Sequence, residues 1–149
     1  MIIRVNDEES LIDVGRKLGK YLFPDAIITL RGDLGAGKTT LTKGIGQSLG
    51  IKKIINSPTF TILKIYQGTY TLYHFDAYRL EDSDEELGFE ELFDAGGICV
   101  IEWPDYINEI IPEEHLEITI TINNDATRSL NLKPVGKEYE DLVGRLMND

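Results

Sequence analysis

The 149-residue chain has the length of one domain, expected to span residues 1–149, and 42% hydrophobic content is enough for one ordinary core. No run approaches the roughly 18 consecutive apolar residues of a membrane span, the amino terminus lacks a charged-then-apolar signal layout, and a cytoplasmic protein without membrane contact is expected. A lone Cys99 inside Ile98-Cys99-Val100-Ile101 excludes an internal disulfide and a multi-cysteine metal site, and a formal charge of -11 argues against gripping a nucleic-acid backbone unaided.

In chain order, Ile2 to Val5 reads as a short strand, and Asp7 caps a helix with Leu11, Val14, Leu18 and Leu22 on one face, broken at Pro24. Ala26 to Leu30 suits a strand buried on both faces. A glycine-rich loop follows, then a helix with Leu41, Ile45 and Leu49 aligned and Gly50 at its end. Phe60 to Tyr66 and Thr69 to Asp76 read as antiparallel strands joined at Gln67-Gly68.

Ser83 and Glu86 form a capping box for a helix carrying Phe89, Leu92 and Phe93, stopped by Gly96-Gly97. The acidic run from Glu81 to Asp94 is either a solvated helix face or a surface for a basic partner. Ile98 to Ile101 is a second buried strand. A hairpin follows, with Leu116, Ile118, Ile120 and Ile122 alternating before an Asn123-Asn124-Asp125 turn, and Leu130 and Leu132 after it. Tyr139, Leu142, Val143, Leu146 and Met147 close the chain at helical spacing. The pattern predicts an α/β fold: a P-loop NTPase-like mixed sheet, parallel at its core with antiparallel hairpins, and helices on both faces.

The chemistry centres on Gly32-Asp33-Leu34-Gly35-Ala36-Gly37-Lys38-Thr39. This Gly-x-x-x-x-Gly-Lys-Thr spacing curls backbone N–H groups around a diphosphate at a helix amino terminus. The expected nucleotide contacts are Asp33, Leu34, Gly35, Ala36, Gly37, Lys38, Thr39 and Thr40, with Lys38 on the β- and γ-phosphates and the Thr39 hydroxyl on Mg²⁺. Glu102 ends the apolar strand, where such sheets place ligands, and is expected to bind Mg²⁺ directly or through water. Strand alternation puts His74 and Asp76 on one face. Asp76 then either orients the attacking water as a base or ends its strand paired to Arg79, while His74 alone and His115 read as structural.

Thr59, in Ser57-Pro58-Thr59-Phe60, is either a γ-phosphate sensor or part of a turn. Trp103 either lines the site or packs, and Arg128 either pairs with a carboxylate or approaches the nucleotide. The absence of an Asn-Lys-x-Asp run favours ATP over GTP.

Taken in order, the glycine loop through Thr40, Ser57-Pro58-Thr59-Phe60, His74-Phe75-Asp76-Ala77-Tyr78-Arg79 and Ile101-Glu102-Trp103 resemble the bacterial TsaE family over nearly the whole chain. The segment from Asn123 onward matches only loosely. The resemblance implies an Mg²⁺-dependent ATPase in formation of the threonylcarbamoyl group on the adenosine beside the tRNA anticodon. It also implies action with the partners TsaB and TsaD, which carry out the transfer and contact the tRNA. By the same resemblance Thr39 and Glu102 are Mg²⁺ ligands, Lys38 and Asp76 are catalytic with Asp76 the base, and Thr59 is a switch residue. A small-molecule kinase and a nucleotide-gated binding module use the same loop and stand as alternatives. The scattered arginines disfavour the kinase, which needs several over the phosphates.

Overall fold

A computed structural model describes residues 1–58, 62–77 and 89–149. Its framework is one seven-stranded sheet: β1 (Ile2–Val5), β2 (Ile27–Arg31), β3 (Leu63–Tyr66), β4 (Leu72–Asp76), β5 (Ile98–Glu102), β6 (His115–Ile122) and β7 (Arg128–Val135). The order across it is β1-β7-β6-β2-β5-β4-β3. The core β4-β5-β2-β6 is parallel, and β3, β7 and β1 join antiparallel. The carboxyl ends of β2, β4 and β5 therefore emerge along one edge, with Asp76 opposite Glu102 in the register. Both expected hairpins form, and the sheet is the mixed one that the pattern predicts.

The alternation of side chains divides the core in two. On one face, Ile28, Leu30, Ile98, Val100, Leu116, Ile118 and Ile120 pack with residues of three helices: α1 (Glu8–Tyr21), α2 (Lys38–Ser48) and α4 (Lys137–Met147). On the other, Ile27, Phe75, Cys99 and Ile101 pack against the short α3 (Phe89–Phe93), whose Phe89 ring meets Phe75 edge-on at 4.8 Å. Ile107, from a 3-10 turn over Pro104–Ile107 that the sequence pattern did not suggest, joins this second cluster.

Asp7 caps α1 as expected, its Oδ1 accepting from Ser10 N at 2.8 Å, and Gly50 follows α2 at a φ of 74°. The helices α1 and α2 meet through glycines. A Cβ on Gly15 would collide with the Leu41 carbonyl oxygen, and one on Gly44 with that of Ile12. The β3–β4 connection differs from expectation: it runs over five residues, since Tyr66 pairs with Leu72 and β4 starts at Leu72 instead of Thr69. Residues 67–71 are drawn elsewhere, with Thr69 N donating to Leu49 O and Thr71 O accepting from Ile98 N. The Ser83–Glu86 capping box, the start of the Phe60–Tyr66 strand, Thr59 and the Asp76–Arg79 pairing lie outside the described residues.

Candidate functional site

The glycine loop leaves the carboxyl end of β2 and turns into α2 beneath it. Ala36 N donates to Asp33 O at 3.0 Å, and Gly37 stands at the helix N-cap with φ 118°, a left-handed conformation that side chains resist. A Cβ there would also push on the Leu11 side chain of α1, which would have to shift. Nothing lies within 4 Å of a Cβ built on Gly35, also at positive φ, so that backbone opens to solvent. No side chain caps α2, and the first-turn amides of Lys38, Thr39 and Thr40 point toward the same edge of the sheet. Ala36 is buried, whereas Leu34 is 93% exposed at the loop tip.

Lys38 is the buried cation of the site. Its Nζ donates to Gly32 O at 2.6 Å and lies 4.0 Å from the centroid of the Trp103 ring. Burial pushes its amine below the ordinary lysine value, and the charges of Glu102, Asp76 and Asp33 oppose that shift. Trp103 follows Glu102 directly and takes a left-handed φ of 58°, turning the chain out of β5 and laying its indole over the ammonium. Trp103, left open between packing and lining on sequence grounds, therefore borders the cluster.

Asp76 is 1% and Glu102 3% exposed, at the ends of adjacent parallel strands and on the α2 face. Glu102 Oε2 lies 2.6 Å from His74 Nε2, one step back along β4. His74, read from sequence as a core histidine, is thus tied to a site carboxylate. The signal was present in the His74-x-Asp76 alternation, but only the β4–β5 register identifies its partner. Arg128 Nε of β7 donates to Ala36 O at 3.1 Å, so this arginine braces the loop backbone. No local pattern announced that contact, because 92 residues separate the two groups.

The residues fit Mg²⁺ by their chemistry. Thr39 offers a hydroxyl and Glu102 and Asp76 offer carboxylates, all hard oxygen donors on the edge where α2 begins. Among the described residues no group of three or more His, Cys, Asp or Glu is placed to hold a metal ion by itself.

A glycine loop between a central parallel strand and a helix, with a buried lysine and two strand-end carboxylates, defines the class: a mixed-sheet α/β protein with helices on its faces. Residues 5–130 match the model of the family described as Threonylcarbamoyl adenosine biosynthesis protein TsaE. A tRNA threonylcarbamoyladenosine biosynthesis protein TsaE of Bacillus subtilis is 46% identical over 143 residues, 95% of this chain and 90% of the relative. One of Treponema pallidum is 38% identical over 120 residues, 79% of this chain and 89% of the relative. The crystal structure of YdiB from Bacillus subtilis superposes with a TM-score of 0.88 at 37% identity, covering 99% of this chain and 94% of that one. The chain belongs to the TsaE family.

Proposed function

We propose that this chain is an Mg²⁺-dependent ATPase required for the threonylcarbamoyl modification of the adenosine beside the tRNA anticodon, working with TsaB and TsaD and leaving the transfer to them. The pathway is supported by the family and by the printed names of the relatives. The observation that carries the ATPase reading is the gathering of the buried Lys38 ammonium with Asp76 and Glu102 at the mouth of α2.

In this reading the loop amides from Asp33 to Thr40 bind the phosphates and fix their direction. Lys38 stabilises charge moving between the β- and γ-phosphates, and Thr39 and Glu102 hold Mg²⁺. Held there, the cation would supply positive charge against the phosphates. Asp76 accepts the proton of the attacking water, and Thr59 senses the γ-phosphate. Lys38 spends one of its three N–H donors on Gly32 O, which leaves others for phosphate oxygens.

The test is ATP hydrolysis and tRNA modification with and without TsaB and TsaD. Low hydrolysis that rises severalfold with the partners, and its near-abolition in Lys38→Ala, are expected. Turnover indifferent to the partners would contradict the reading, as would phosphorylation of a metabolite in place of hydrolysis.

A further inference from the structure

His74 is a buried polar side chain in contact with a site carboxylate that the mechanism above does not use. It is 0% exposed in β4, paired across the sheet with Val100, and its Nε2 lies 2.6 Å from Glu102 Oε2. The other ring nitrogen, Nδ1, is buried and has no hydrogen-bond partner among the described residues. An ionised carboxylate only accepts, so a neutral ring must carry its proton on Nε2 and leave Nδ1 as a bare lone pair. The same strand face carries Leu72 in the core, so packing alone would be met by an aliphatic side chain without a dry nitrogen.

We propose that His74 is a positioning residue: its Nε2–H holds Glu102 Oε2 and thereby turns Oε1 toward the Mg²⁺ that accompanies a nucleotide on the glycine loop. This rests on the nucleotide-site reading above. Both partners sit on neighbouring parallel strands, so the bond is fixed by the sheet register and not by a loop. A ligating carboxylate oriented by such a bond holds its metal better, and removing the orienting group typically weakens binding about 10–100-fold.

His115, the other histidine of the chain, supplies an internal contrast. Its Nδ1 lies 2.9 Å from Glu113 O and 3.1 Å from Pro112 O, and carbonyls can only accept, so its proton belongs on Nδ1. Nitrogen-detected magnetic resonance of the wild-type chain, assigned with His115→Gln, should report an Nε2–H tautomer for His74 and an Nδ1–H tautomer for His115. An Nδ1–H tautomer at His74 overturns the proposal, and this measurement decides even where a substitution prevents folding.

The second readout is Mn²⁺ titrated into the chain saturated with ADP. His74→Leu should weaken Mn²⁺ about 10–100-fold while leaving ADP affinity in excess chelator unchanged, and His74→Gln, which keeps a donor, should recover most of the loss. Unchanged Mn²⁺ affinity in His74→Leu refutes the positioning role alone, as does ADP affinity lost equally with and without metal. A folded wild-type chain that binds neither ADP nor Mn²⁺ with ADP refutes the nucleotide-site reading and this proposal together.

Discussion

Cys99 and Lys38 are both buried, yet burial leads them to opposite chemistry. Burial, assisted by the nearby charge of Asp25, pushes the Cys99 thiol up to about 12. Its thiolate is then absent at neutral pH, and the native chain should not react with Ellman's reagent, while the unfolded chain should react fully. Rapid native labelling would show that the strand opens or that the thiol is exposed. Lys38 instead keeps three acidic neighbours that oppose the effect of burial. The sequence made the lysine and both carboxylates legible because each has a local signature: a glycine spacing, or an acid closing an apolar run. The contacts of His74, Trp103 and Arg128 were not legible, because each is made to a group on another strand or loop.

The elements that hold the site are pinned by close backbone approach and by capping. At Gly15 of α1 an added Cβ would meet the Leu41 carbonyl oxygen and sit 3.0 Å from Gly44 Cα. Gly15→Ala should therefore cost about 1–3 kcal/mol through overpacking, read from urea unfolding. Gly144→Ala, in α4 where nothing lies within 4 Å, should instead stabilise by about 0.4–1 kcal/mol. Equal effects at the two sites would mean that α1 and α2 do not approach this closely.

Asp7 gives an element-scale prediction with pH. Its side-chain bond to Ser10, seconded by that residue's backbone N–H, holds the carboxyl below the ordinary aspartate range. A lowered folded-state value means that the cap stabilises above the unfolded pKa and that this contribution is lost as pH falls through the folded one. Asp7→Ala should lower Tm at neutral pH, and the gap to wild type should close in strong acid. A gap that persists unchanged at low pH would mean that the carboxylate's charge is not what caps the helix. The helical spacing and the cap were readable from sequence, whereas the close approach at Gly15, Gly19 and Gly44 depends on an opposing helix that no local pattern places.

For the molecule as a whole, the strand segments and two hairpins followed from alternation and β-branched runs, but the order of strands did not. Placing β2 between β5 and β6, and β1 outside β7, needs contacts across more than 60 residues that no local pattern encodes. That order is what brings Asp76 and Glu102 side by side. The β3–β4 connection was misjudged for a related reason: Thr69 and Thr71 spend their backbone bonds on Leu49 and Ile98, outside the hairpin itself. A chain of charge -11 carries little to hold a tRNA backbone unaided. Among the described residues no helix is long and apolar enough to cross a membrane.

The most direct test of the central claim is calorimetric titration of ADP into the folded chain with Mg²⁺ and with excess chelator, beside Lys38→Ala. Saturable binding at one site, strengthened by Mg²⁺ and lost in the lysine variant, is expected. Binding that is absent in the wild type, or that survives intact in Lys38→Ala, would contradict that claim.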